Sequence, residues 1–189
     1  PILVGKESKI KEQIRNIGYN ENFDIEIINS KDEEKRKKYL KHLFEKLQRE
    51  QGLLERDCDR LLRNDRVIWA TSMVACGDAD GAVTGNTRRF GASLEKIKQV
   101  VNVRKGEIMF GLNMVVHKGK TIFIGDTSVH EYPTSEELAE IAISTARVVR
   151  LFGFEPKVAF VSHSTFGQPL TSRTKHIRNA VEILKEKKV

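Results

Sequence analysis

Two stretches of this chain carry side chains that suit an anion. The first is Gly85-Asn86-Thr87-Arg88-Arg89-Phe90-Gly91, with Thr84 just before it. Two guanidinium groups beside glycines can fork onto a phosphate while the backbone approaches closely. The competing reading is a surface loop whose arginines are merely solvated. The second is Ser162-His163-Ser164-Thr165-Phe166-Gly167, which follows the apolar run Val158-Ala159-Phe160-Val161. Three hydroxyls and a glycine after an apolar segment can offer donors to an anion, as phosphate-cradling loops do. Here the competing reading is a capped turn. The segment is not a Walker loop, because no Gly-x-x-x-x-Gly-Lys occurs, and it is not a nucleophile elbow, because Gly-x-Ser-x-Gly is missing.

Other candidates are weaker. Asp78 and Asp80 are close carboxylates with no third ligand at useful spacing for a metal. Asp126, at the end of an apolar run, can hydrogen-bond a ligand or cap a turn. His130 and Glu131 fall in no recognisable pattern, and an isolated histidine such as His163 is more often structural than catalytic. Cys58 and Cys76 form neither a redox pair nor a zinc ribbon and read as reduced thiols. No Gly-x-Gly-x-x-Gly dinucleotide fingerprint occurs.

An alternation of short apolar runs and amphipathic stretches must position these segments. Ile2-Leu3-Val4 reads as a strand. Ile10, Ile14 and Ile17 share a helical face, with Ser8 as N-cap and Gly18 as stop. Phe23, Ile25 and Ile27 alternate with polar residues at strand period. Strand, helix, strand within thirty residues predicts a βαβ unit and parallel pairing. A long charged helix follows, with Leu40, Leu43, Phe44 and Leu47 as its stripe, ended by Gly52. Leu54, Cys58, Leu61 and Leu62 continue helically, and Val67, Trp69, Met73 and Val74 predict a more buried helix ending at Gly77.

Residues 80–85 read as a strand running into a tight turn, and residues 90–101 as the helix after it. Residues 107–116 and 121–126 are apolar strands joined through His117-Lys118-Gly119-Lys120, a hairpin that makes the sheet mixed. Thr134 and Glu137 form a capping box. They open a helix with Leu138, Ile141, Ala142, Thr145, Val148, Val149 and Phe152 on its apolar face. Residues 158–161 read as a buried strand, and Ile177, Val181 and Leu184 mark a last helix.

The whole describes an α/β protein of 189 residues, 39% hydrophobic and 31% charged, large enough for a proper core. No apolar run approaches the ~20 residues needed to cross a bilayer, and no secretory segment is present. The sequence therefore predicts neither a membrane protein nor a disulfide-knit secreted domain, and places the chain in the cytoplasm. A formal charge of +7 would suit nucleic acid, but acids and bases interleave in Asp32-Glu33-Glu34-Lys35-Arg36-Lys37-Lys38. Opposite charges at helical spacing describe a solvated face. Aromatics are too few and too scattered for a base-stacking platform, so no nucleic-acid partner is expected. Beginning at Pro1 rather than Met, the chain reads as a piece of something longer.

The order of segments is more specific than any one of them. Pro1-Ile2-Leu3-Val4-Gly5-Lys6 comes first, then Gly77-Asp78-Ala79-Asp80-Gly81-Ala82-Val83-Thr84-Gly85, then Phe123-Ile124-Gly125-Asp126-Thr127 leading to Pro133-Thr134-Ser135-Glu136-Glu137. Phe152-Gly153-Phe154-Glu155-Pro156 then runs on to Ser162-His163-Ser164-Thr165-Phe166-Gly167. This succession resembles the phosphate acetyl/butyryltransferase family over essentially the whole chain. Within it, Gly-Asp-Ala-Asp at residues 77–80 and Ser-His-Ser at 162–164 resemble the phosphotransacetylase-like C-terminal domain of large bacterial malic enzymes.

The resemblance implies a three-layer α/β/α fold with a mixed, mostly parallel sheet, the isocitrate/isopropylmalate dehydrogenase-like fold, truncated at its C-terminus. Subdomains are expected over 1–103 and 104–189, flanking a cleft, in a homo-oligomer. It also implies an acyl-CoA or phosphate ligand at Thr84, Gly85, Asn86, Thr87, Arg88, Arg89, Asp126, Ser162, Ser164, Thr165 and Gly167.

Two departures count against an active transferase. Family transferases carry an Asp and an Arg in the helix after the Ser/Thr-Gly turn, and aligned on Thr84-Gly85 those places hold Ala92 and Glu95. The family's catalytic Ser-Arg pair and Asp lie near the extreme C-terminus, and this chain ends at Val189 before such a segment. No catalytic or metal residue is assigned. The expected function is a regulatory and oligomerisation domain of a multidomain malic enzyme, with acetyl-CoA as effector. NAD(P) and a divalent metal (Mg or Mn) would sit in upstream domains. The alternative is an active phosphate acyltransferase.

Overall fold

The computed structural model describes residues 1–20, 24–164 and 168–187. It divides into two compact units, Pro1–Asn102 and Val103–Val189.

In the first unit, β1 (Ile2–Val4) and β2 (Glu26–Ile28) pair in parallel, Ile2 opposite Glu26 and Val4 opposite Ile28. Helix α1 (Glu7–Asn16) is the crossover, so the expected βαβ unit is present. Its N-cap is Lys6 rather than Ser8, and no side chain caps it. Ile25 and Ile27 are partly covered between the exposed Asp24 and Glu26, as the alternation expects, and Ile28 is the residue of β2 that is fully buried. Phe23 lies outside the described residues.

Four helices complete this unit: α2 (Glu33–Gln51), α3 (Glu55–Asn64), α4 (Arg66–Ala75) and α5 (Phe90–Val100). Asp32 caps α2 by accepting from Lys35 N, and Gly52, at φ 66°, ends it in the left-handed region that a side chain would strain. Tyr39, Leu43 and Leu47 of α2 meet Cys58 and Leu62 of α3 and Ile68, Trp69 and Met73 of α4. Tyr39 stands edge-on to Trp69 with ring centroids 5.1 Å apart. Each such aliphatic or aromatic side chain contributes about 1.5–3 kcal/mol on burial, which is what holds α4 inside the unit.

The C-terminus of α5 is fixed by two residues one turn apart on α2. His42 Nε2 lies 3.0 Å from Val100 O, and Lys46 Nζ donates to Lys98 O and to Val101 O at 2.8 Å. The ammonium thus meets carbonyls that the helix leaves unsatisfied. Burial lowers its pKa, and the nearby Glu50 opposes that shift.

The second unit holds the antiparallel hairpin β3 (Leu112–His117) and β4 (Lys120–Gly125), turned at Lys118 and Gly119 with positive φ. Helix α6 (Ser135–Leu151) opens on the capping box of Thr134 and Glu137, and α7 (Ser172–Glu186) packs on it. Phe123 contacts Phe152 and Phe154, which turns one hairpin face inward; Val115, Ile122 and Ile124 lie on the other, exposed face.

The fold class is α/β, with one parallel and one antiparallel strand pair. Three expected strand segments are not strands. Residues 80–85 are exposed throughout and unpaired, because a run bounded by Gly81 and Gly85 has too few apolar side chains to bury. Residues 158–161 pair with no described strand, and Val158 and Val161 are exposed. Residues 107–111 likewise stay outside β3. Apolar composition proposes a strand, but only a hydrogen-bonding neighbour realises one.

Candidate functional site

Within the first unit, the segment before α5 is fully exposed. Gly85 has φ 145° and Asn86 φ 61°, and Thr87 N donates back to Gly85 O at 2.8 Å. The tight turn expected here is present, and it presents Thr84, Asn86 and Thr87 to solvent.

The two arginines then part company. Arg88 Nη1 donates to Asp65 Oδ2 at 2.7 Å, while Asp65 Oδ1 accepts from Val67 N and Ile68 N at the start of α4. Burial would raise the pKa of Asp65, but Arg88 and the two amides outweigh it and hold the carboxyl below its ordinary range. Arg88 is therefore a clamp on α4 in this structure. Arg89 is the N-cap of α5, exposed and without an ion-pair partner among the described residues. Ala92 and Glu95 lie one turn apart on the exposed side of α5.

Asp78 is engaged by α2. Its carboxylate accepts from Lys38 Nζ at 2.6 Å and from Tyr39 Oη at 2.7 Å, tying the end of α4 to α2. The Lys38 bond leads the causes that lower its pKa, and burial raises that of Tyr39. Among the described residues, no group of His, Cys, Asp and Glu could hold a metal ion.

In the second unit, the side chain of Asp126 is buried, and its carboxylate is occupied by the loop that follows it. Oδ1 accepts from Gly111 N, Ser128 N and Val129 N at 2.8, 3.0 and 3.2 Å. Oδ2 meets His130 N and His130 Nδ1, each at 2.8 Å. Burial would raise its pKa, yet these donors, Ser128 N and the His130 ring foremost, hold it at about 2. Of the two readings of Asp126, the geometry displays the turn cap.

Ser162 Oγ lies 2.7 Å from Ser164 Oγ and accepts from Ser164 N at 3.1 Å. This pair folds on itself as a hydroxyl-capped turn. Thr165 and Gly167 lie outside the described residues.

Sequence reasoning overlooked a cleft of about 470 Å³ in the first unit, at the exits of β1 and β2. The available signal was the βαβ unit itself, since ligands of α/β folds sit beyond the carboxyl ends of parallel strands.

Residues 1–189 match the Phosphate acetyl/butaryl transferase family. The chain belongs to that family. It is 38% identical over its full length to an NADP-dependent malic enzyme of Rhizobium meliloti, of which it covers 25%. It is 33% identical over 98% of its length to a phosphate acetyltransferase of Clostridium acetobutylicum, covering 57% of that protein. A solved phosphotransacetylase from Streptococcus pyogenes superposes with a TM-score of 0.81 at 25% identity, over 98% of this chain and 56% of that one. The chain thus spans about a quarter of the malic enzymes it matches. This family member is a phosphotransacetylase-like domain homologous to the C-terminal part of malic enzymes. Among the described residues, no helix is long and apolar enough to cross a membrane.

Proposed function

We propose that this domain regulates and assembles a multidomain malic enzyme and binds acetyl-CoA or a related acyl-CoA as effector. The observation that carries this reading is the exposed side of α5, where Ala92 and Glu95 replace the Asp and Arg expected of a transferase. A carboxylate repels the phosphate that an arginine would attract. The charge needed for phosphoryl substrates is thus reversed at Glu95, whereas Arg89 and the turn at Asn86 and Thr87 still offer donors.

Those donors fit the phosphates of an acyl-CoA: a free guanidinium, a side-chain amide and a hydroxyl on one exposed segment. In the second unit, Ser162 and Ser164 form a separate hydroxyl-bearing turn. The whole cytoplasmic protein would convert malate to pyruvate and CO2. NAD(P) and a divalent metal, Mg or Mn, would be held outside these residues. Homo-oligomerisation is supported by Val115, Ile122 and Ile124, an apolar trio on the open face of the hairpin.

A second reading, an active phosphate acetyl/butyryltransferase, is favoured by the identity to the Clostridium acetobutylicum enzyme. One experiment separates the two. The intact protein is assayed for NAD(P)-linked malate oxidation with and without acetyl-CoA, and for acetyl-CoA formation from acetyl phosphate and CoA. Malate oxidation that responds to acetyl-CoA, without acyl transfer, supports the regulatory reading. Acyl transfer without malate oxidation overturns it.

A further inference from the structure

The hairpin of the second unit is a two-stranded sheet, so one edge of β4 bonds to β3 and the other to no described strand. A cavity of about 390 Å³ adjoins β4. Thr121 and Phe123 share one face of the strand and Ile122 lies on the other, yet all three line the cavity. A space lined by consecutive strand residues opens along the backbone edge rather than on one side-chain face.

The cavity has two further walls. One is the apolar side of α6, through Leu138, Ile141, Ala142 and Val149. The other is the run Pro156-Lys157-Val158-Ala159-Phe160, every residue of which lines the space. Its valines and phenylalanine favour a strand, yet Val158 and the following Val161 are 52% and 89% exposed. Residues 155–161 make no backbone hydrogen bond to a described residue. A strand-prone run with unpaired amides and apolar side chains in water is a template for pairing.

The open edge of β4 and this run thus border one cavity without bonding to each other. Paired strands stand about 4.8 Å apart, so the cavity lies where a strand bonded to both would run. A small apolar molecule would cover the α6 side chains but leave both rows of amides and carbonyls without partners. A polypeptide strand serves all three walls at once. Relatives have the polypeptide to supply it. The chain covers 56% of the Streptococcus pyogenes phosphotransacetylase, which superposes over 98% of this chain with a TM-score of 0.81.

We infer that the cavity receives a strand of the same polypeptide from outside residues 1–189. That strand bonds β4 along one side and residues 157–161 along the other, and lays apolar side chains on α6. The hairpin, the added strand and residues 157–161 then form one four-stranded sheet. The inference is independent of which activity the intact protein has.

The test is amide hydrogen exchange of the intact protein, with a photo-cross-link that identifies the occupant. Amides of residues 157–161 should exchange at least about tenfold more slowly than in a free peptide of that sequence. Less protection than that overturns the inference. For the cross-link, p-benzoylphenylalanine replaces Ala159 and Phe160 in separate variants, so that both side-chain directions are sampled. The expected product has the mass of a single chain and joins either position to a segment outside residues 1–189. A cross-link between two copies overturns the inference by making the strand an exchanged one. Cross-links confined to residues 1–189 overturn it as well, by showing that this unit covers itself.

Discussion

Arg88 reaches back across the first unit to Asp65, with 2.7 Å between Nη1 and Oδ2, and the second oxygen of the same carboxylate caps α4. One side chain thus joins the exposed segment before α5 to the start of the helix that carries Trp69 and Met73. The two partners should not be equivalent. Asp65→Ala removes the cap and the pair together and should destabilise the protein by about 1–2 kcal/mol. Arg88 is 38% exposed, so solvent screens its contribution, and Arg88→Ala should cost less than about 1 kcal/mol. Urea unfolding of both variants measures the ratio; equal losses would mean that the cap contributes nothing.

Asp126 makes stability depend on acid. Its carboxyl is held at about 2 against an ordinary 3.8, so the unfolded chain takes up the proton first. The stabilisation is complete above about pH 4 and is lost as pH falls through about 2. The shift corresponds to about 2 kcal/mol, and the side chain is only 3% exposed. Urea midpoints at pH 7, 4 and 2.5 should therefore fall more steeply for the wild type than for Asp126→Asn. The amide of that variant does not titrate, but it leaves part of the donor set at Gly111, Ser128, Val129 and His130 unmatched, so the variant starts lower at pH 7. Parallel curves would show that another group governs acid unfolding.

The same cradle predicts which glycine is intolerant. A Cβ on Gly111 would stand 2.9 Å from Asp126 Oδ1 and 3.0 Å from Ser128 Oγ, too close for either to remain where it is. Gly111→Ala should cost about 1–3 kcal/mol through overpacking and the displaced carboxylate. Gly81 meets nothing within 4 Å and has no positive φ, so Gly81→Ala should be neutral or slightly stabilising. Thermal unfolding of the pair decides it, and similar melting temperatures would remove the Asp126 cradle from the account.

Lys46 should be needed for its charge as well as its stem. Lys46→Met keeps the aliphatic packing but leaves the carbonyls of Lys98 and Val101 without their donor. A hydrogen bond from a charged group contributes about 1.5–3 kcal/mol, and a loss of that size is expected in urea unfolding. An unchanged midpoint would mean that water serves those carbonyls equally well.

The helices are legible in the sequence because their signals are local. Gly52, and Thr134 with Glu137, are end signals that act within one turn of themselves, so a single sequence carries them. The hairpin is legible for the same reason, since Lys118 and Gly119 fix both the turn and the register. The segments 80–85 and 158–161 mislead because strand formation depends on a partner elsewhere in the chain. At the candidate site, the turn at residues 85–87 follows from its glycine and Asn86, and the family order picks out both candidate segments. The capture of Arg88 by Asp65, 23 residues away, has no local signature.

That capture changes what an effector experiment on the arginines should read. As a pair, Arg88 and Arg89 look interchangeable in sequence, and either would serve a phosphate. In the structure only Arg89 is uncommitted, and it stands at the N-terminus of α5, where the helix dipole already favours an anion. Under the regulatory reading, Arg89→Ala in the intact protein should weaken its acetyl-CoA response about tenfold in effector concentration, the loss of one charge-assisted contact. Arg88→Ala should shift it by less than about threefold, because Arg88 must first leave Asp65 to reach a ligand. Both variants need parallel unfolding curves, so that a change in response is not mistaken for a loss of folded protein. If Arg88→Ala proves the more damaging at equal stability, Arg88 releases Asp65 when the effector binds. If neither variant changes the response, the effector does not use this segment.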